Sequence, residues 1–166
     1  MDNRPIGVFD SGLGGLTAVQ KLIELLPNED IIYLGDTGRV PYGGRSRETI
    51  IKYARQDIAF LTSFDIKAIV IACGTVSTTA MGEIENDYDL PIAGVVLPAV
   101  EKAVKVTKNK RIGLIGTVAS INSRAYDRLI LERLPDAEIF SAACPLLVPL
   151  VENGRINRGD IMIETA

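Results

Sequence analysis

The sequence predicts an α/β protein built from parallel strands. Three observations carry this. Short apolar strand patterns alternate with helical ones along the chain, the order that parallel pairing requires because the chain must cross back between neighbouring strands. Several strands, such as KAIVIA, are nearly continuous apolar runs, which suits a sheet covered on both faces. The segments between them repeat apolar residues at helical rather than strand spacing.

Taken in order, PIGVF (5–9) is the first strand and GGLTAVQKLIELL (14–26) the helix behind it. DIIYLG (30–35) is the second strand. SRETIIKYARQDIAFLTSF (46–64) follows, with Ile50, Ile51, Ala54, Ile58 and Leu61 on one helical stripe and Ser46 with Thr49 marking its start. KAIVIA (67–72) is the third strand, TTAMGEIENDY (78–88) a helix and LPIAGVV (90–96) the fourth strand. After AVEKAVKVTKNK the series resumes with a strand RIGLIG (111–116), a helix SRAYDRLILERL (123–134) and a strand AEIFSA (137–142).

The second series rhymes with the first. IGVFDSG aligns with IGLIGTV, and Pro27 aligns with Pro135 at an offset of 108. Two similar lobes, residues 1–97 and 98–166, are the expected organisation; the alternative is chance likeness between any two strand–helix units. The same offset places the counterpart of Cys73 near residue 181, past Ala166. The second lobe is therefore expected to be incomplete in this chain, whose last residues, RGDIMIETA, read as the start of a helix.

Composition narrows the chemistry. The chain has 166 residues, 47% of them hydrophobic and 23% charged, with a net charge of −3. That describes a soluble globular protein with no basic footprint for nucleic acid. No apolar run approaches the roughly 20 residues of a membrane helix, and MDNRPIGVFDSG is no secretory signal. The expected location is the cytoplasm, where Cys73 and Cys144 would be free thiols. There is no histidine. This excludes Ser-His-Asp and Cys-His pairs and histidine zinc sites, and two separated cysteines cannot build a Cys₄ site. No metal is expected.

Ligands of open α/β sheets sit beyond the carboxyl ends of the strands. DSGLGG, GDTGRVPYGG, CGTVS and GTVASINS occupy such positions. The first lacks the third glycine of a dinucleotide loop, Thr17 standing there, and no P-loop motif occurs. Asp10 is a helix cap or a site acid/base. Cys73, between a strand and a helix start, is a small buried hydrophobe or a thiol whose pKa the helix dipole lowers. Cys144, among apolar neighbours, reads as structural packing. Tyr42 in PYGG offers a hydroxyl donor. Arg39 and Arg45 flank it and are candidates to attract a carboxylate, against the plainer reading of solvated loop arginines.

Together FDSGLGGLT, PNEDIIYLGDTGRVPYGGRS, VIACGTVST, PIAGVVLPAV, IGLIGTVASINSRAY and ACPLLVPLVENG resemble the glutamate racemase family. The resemblance implies two pseudo-symmetric α/β lobes with the site between them. It implies a cofactor-independent enzyme that interconverts L- and D-glutamate by a two-thiol mechanism and supplies D-glutamate for peptidoglycan. By the same resemblance Cys73 is the first catalytic cysteine and Asp10 the acid beside it. Ser11, Pro41, Tyr42, Gly43, Gly74, Thr75, Thr117 and Ser120 fall at substrate contacts, and Glu152 falls where the family has an acid near the site.

Three departures accompany it. Gly74 replaces the family's asparagine, Ser120 replaces a threonine, and the G-C-T-H motif with the opposing cysteine is absent. The chain alone is therefore expected not to racemise glutamate. Two rival readings stand beside it: a single-cysteine decarboxylase or isomerase of small dicarboxylates, and a non-catalytic carboxylate-binding module. Apolar surface on a half-built lobe admits a homodimer.

Overall fold

The computed structural model describes residues 2–155; the RGDIMIETA segment lies outside the described residues. The first sheet has four parallel strands in the order β2-β1-β3-β4, formed by Ile6–Asp10 (β1), Ile31–Gly35 (β2), Ala68–Ile71 (β3) and Ile92–Gly94 (β4). The second has two parallel strands, Arg111–Gly116 (β5) and Glu138–Ala143 (β6). The α/β class and the parallel pairing are as the alternating pattern predicts.

Every residue of β1 is buried, as expected for a central strand between two neighbours. The expectation for KAIVIA holds on one face only: Ile69 and Ile71 of β3 are buried, whereas Ala68 and Val70 are half-buried. The reason is the helices. Helix α1 (Leu16–Leu25) buries none of its residues, so the apolar period of its sequence does not translate into a packed face. Helix α2 (Arg47–Thr62) does the opposite. Ser46 caps it by accepting from the Thr49 amide, and Ile50, Ile51, Ala54, Ile58 and Leu61 are all buried. They join Phe9, Ile66, Ile69 and Ile71 in one core cluster.

The helix read at 78–88 needs correction. The chain turns helical at once after Cys73, as α3 (Gly74–Thr79), breaks at Ala80, and resumes as α4 (Met81–Ile84). The small polar run GTVSTT has weak helix propensity. Tertiary contact compensates, because Thr75, Val76, Ser77 and Thr78 are all buried.

Helix α5 (Val96–Val106) leads into the second sheet. Its Val96 and Val100 pack with Ile130 of α7 (Ala125–Arg133), and with Ile112 and Ile139. Two short helices follow strand ends: α6 (Val118–Asn122) after β5, and α8 (Leu147–Glu152) after β6. The sequence patterns do not announce α5, α6 or α8. The other face of β5 and β6 carries Ile115 and Phe140, both exposed, with Arg111 stacked 5.0 Å from the Phe140 ring. No helix among the described residues is long and apolar enough to cross a membrane.

Register fixes where the loops emerge. Asp10 lies opposite Gly35, Phe9 opposite Ile71, and Ile71 opposite Gly94. In the second sheet Gly116 lies opposite Ala143. All these strands run parallel, so within each sheet the following loops leave from one edge.

Candidate functional site

Those edges enclose a cavity of about 350 Å³. From the first sheet it is lined by Asp10, Ser11, Tyr42, Gly43, Cys73, Gly74 and Thr75, and from the second by Thr117, Ser120, Cys144 and Glu152. Pro41 and the two flanking arginines, Arg39 and Arg45, lie outside the lining. Pro41 is linked to it through the next residue, Tyr42, and itself follows Val40 through a cis peptide bond.

Asp10 is a buried carboxylate at the cavity end of β1. It lines the cavity, and its Oδ2 accepts from the amides of Gly12 (3.3 Å) and Gly15 (2.8 Å), so it also orders the DSGLGG loop. Glu152 ties the same loop to α8: both its carboxylate oxygens accept from the Leu13 amide, at 3.0 and 3.1 Å. Gly12 makes that approach feasible, since a Cβ there would sit 2.4 Å from Glu152 Oε1. The Tyr33 hydroxyl closes the loop from beneath, donating to the Gly12 carbonyl at 2.9 Å.

Cys73 is the N-cap of α3, where Sγ accepts from the Val76 amide at 3.5 Å. Its Sγ also lies 3.3 Å from Ser11 Oγ. The lowered pKa expected from the helix start is corrected. The thiol is 3% exposed, and burial, then the negative charge of Asp10, push it up to about 11. The hydrogen bonds from Ser11 and Val76 act the other way and are outweighed. A helix of six residues contributes little dipole to offset desolvation. The sulfur is nevertheless not sealed among hydrocarbons, because Asp10, Ser11 and Tyr42 share its cavity.

Cys144 also departs from expectation. The apolar neighbours that suggested packing, Pro145 and Leu146, are exposed, and Cys144 itself is half-buried and faces the cavity.

Hydroxyls bridge the two sheets. Thr75 Oγ1 and Thr117 Oγ1 are 3.0 Å apart, Thr117 donates to Ser120 Oγ at 3.0 Å, and Thr78 donates to the same oxygen at 3.2 Å. Thr117 also caps α6 by accepting from the Ser120 amide. Gly43 packs directly on Thr117: a Cβ on Gly43 would approach Thr117 Cβ to 2.5 Å, and the Gly43 carbonyl accepts from the Ala119 amide at 2.9 Å.

Tyr42 and Arg39 turn away from the roles their loop suggested. The Tyr42 side chain is 1% exposed, and its hydroxyl donates into the protein, to Asp36 and to Asp57 Oδ2 (3.0 Å). Burial raises its pKa above the ordinary tyrosine range. Arg39 is held by Asp36 (2.5 Å) and Asp57 (2.7 Å). Asp57 escapes a sequence reading built on apolar spacing. The signal was present, because it interrupts the buried stripe of α2 between Ala54 and Leu61.

Comparison with known proteins shows the family and the fold. The family model described as Asp/Glu/Hydantoin racemase matches residues 6–153. The chain is similar to the glutamate racemase of Lactococcus lactis, 46% identical over 94% of this chain and 58% of that protein. It is 49% identical to the glutamate racemase of Persephonella marina over 92% of this chain and 58% of that one. The crystal structure of Francisella tularensis glutamate racemase, in complex with D-glutamate, superposes with a TM-score of 0.89. It shares 43% identity and covers 97% of this chain and 60% of its own. The chain thus spans under three fifths of the length of the curated relatives it matches.

Proposed function

The chain belongs to the Asp/Glu/hydantoin racemase family, and on that premise we propose that it carries the Cys73 side of a cofactor-independent glutamate racemase site. In the whole protein the reaction interconverts L- and D-glutamate, in the cytoplasm, and supplies D-glutamate for peptidoglycan. The observation that carries the reading is Cys73 Sγ at 3.3 Å from Ser11 Oγ, in a cavity shared with Asp10 and a run of hydroxyls. Supporting it are the named activity of the relatives and the D-glutamate bound by the Francisella tularensis enzyme.

In this mechanism the Cys73 thiolate removes the proton from Cα. An S–H bond forms as the C–H bond breaks, and the electron pair passes into the α-carboxylate. Donors around the cavity, the Thr75 and Thr117 hydroxyls and backbone N–H groups near Ser11, Gly43 and Thr75, stabilise that charge. The raised pKa of Cys73 has a role here. Its second cause is the Asp10 carboxylate, so an α-ammonium placed beside Asp10 and the sulfur offsets that repulsion and favours the thiolate. Inversion requires a proton from the opposite face. The family's G-C-T-H segment, where the second thiol belongs by resemblance, does not occur in this chain.

The test is deuterium exchange at Cα of L- and D-glutamate in D₂O, alongside calorimetric titration with each. The expected result is saturable binding and Cys73-dependent exchange without inversion, with exchange lost in Cys73→Ala. Exchange at an unchanged rate in Cys73→Ala, or no binding of either enantiomer, would overturn the proposal.

A further inference from the structure

We propose that Asp57 is a positioning residue for the cavity: with Asp36 and Arg39 it holds Tyr42 in a buried polar cluster, and so sets the place of the Tyr42–Gly43 backbone on the cavity rim. The ligand in this inference is glutamate, and in that respect it rests on the function proposed above.

Asp57 is 2% exposed and sits where the α2 stripe calls for an apolar side chain. A carboxylate there is tolerated only with partners, and its partners all come from the 36–42 segment. Arg39 Nη2 lies 2.7 Å from Oδ1, and the Tyr42 hydroxyl 3.0 Å from Oδ2. Arg39 is itself fixed by Asp36, by Gln56 at 2.5 Å and by stacking 4.4 Å from the Tyr53 ring centroid. Gly43, the next residue along, is locked to α6 through the Ala119 amide and the Thr117 side chain. A shift of the Tyr42 ring therefore moves Gly43, and with it the contact to Thr117.

The cluster is short of one proton. The Tyr42 hydroxyl has a single hydrogen and two carboxylates within reach. Arg39 brings one positive charge to two negative ones. A proton on Asp57 satisfies both counts. Its carboxyl is pushed up to about 6, by burial first and by Asp36, against the opposing effects of Tyr42 and Arg39. Asp36, Arg39 and Tyr42 are the titratable and charged groups facing Asp57 among the described residues. Above that pH the cluster holds an uncompensated buried charge and loosens its hold on Tyr42.

The absence of histidine makes this testable, since no imidazole titrates nearby in pH. Amide NMR of the full chain, titrated from about pH 5.5 to about pH 8, is expected to show the Gly43 and Ala119 resonances moving with the Asp57 carboxyl. In Asp57→Asn, which mimics the protonated form, both amides should stay flat. Calorimetry should show D-glutamate binding about three- to tenfold weaker at the upper pH in the parent chain, and equally tight across the range in Asp57→Asn. Flat amides in the parent overturn the inference, as does the same titration in the variant, or glutamate affinity independent of pH while the amides move. If glutamate does not bind at all, the proposed function fails and the amides alone decide this point. If the variant does not fold, the parent titration still decides it.

Discussion

The two cysteines each stand just past the carboxyl end of a parallel strand and on the same cavity, though after different strands of the repeat, and their surroundings differ. Cys73 follows β3, inside a four-stranded sheet with a continuous core beneath it. Cys144 follows β6, one of the two strands described in the second sheet, whose buried cluster is Val96, Val100 and Ile130. The first region holds a thiol that is 3% exposed and hydrogen-bonded to Ser11 and Val76. The second presents a half-buried thiol beside exposed apolar residues. The difference teaches that burial around a strand end sets the environment of the group placed there: Cys73 is buried, Cys144 half-buried.

The sharpest way to break this comparison is through the cores. Phe9→Ala removes a fully buried ring from the larger cluster and is expected to cost about 3–5 kcal/mol in urea denaturation. Phe140→Ala, on the open face of the second sheet, should change stability by no more than about 0.5 kcal/mol. Equal losses would mean that Phe140 is packed as Phe9 is, against the exposure of that face.

A smaller effect tests the joint between the regions. Gly12→Ala forces the Glu152 carboxylate off the Leu13 amide and should cost about 1–2 kcal/mol. Glu152→Ala should cost a similar amount, and the double variant little more than either alone. Full additivity would show that the two residues do not act through this contact.

The smallest expected effect concerns the thiols. Cys144 should react with iodoacetamide at about pH 8 at least roughly tenfold faster than Cys73, read by mass spectrometry of the alkylated peptides. The sign for stability follows from the raised pKa of Cys73. The folded state favours the neutral thiol, so its contribution is intact below the ordinary value of 9.0 and is lost as pH rises towards about 11. Cys73→Ser should flatten that alkaline limb. Faster alkylation of Cys73 than of Cys144 would show that its burial does not govern its reactivity.

Much of this was legible in the residues. Alternating strand and helix patterns specify the α/β class, and Ser46 with the stripe 50–61 specifies α2 and its cap. The Gly-, Ser- and Thr-rich loops at strand ends mark the site, because ligands approach the backbone where side chains are small. Other features were not legible. The helix after Cys73 is built from residues with poor helix propensity and depends on burial. Asp57 has no local signal beyond a carboxylate within an apolar stripe, and the apolar neighbours of Cys144 suggest a packing that the structure does not have.

By itself, then, the sequence determined the alternating strand–helix order, α2 with its cap, and which loops carry reactive groups. These depend on local spacing, capping and propensity, which act between residues near in the chain. Tertiary structure alone decided that Cys73 is a buried, reluctant acid, that Tyr42 points inward to Asp36 and Asp57, and that Glu152 anchors the Asp10 loop. Those outcomes depend on desolvation and on charges distant in sequence, such as Glu152 against Leu13, and both exist only once the chain has brought them within a few ångströms.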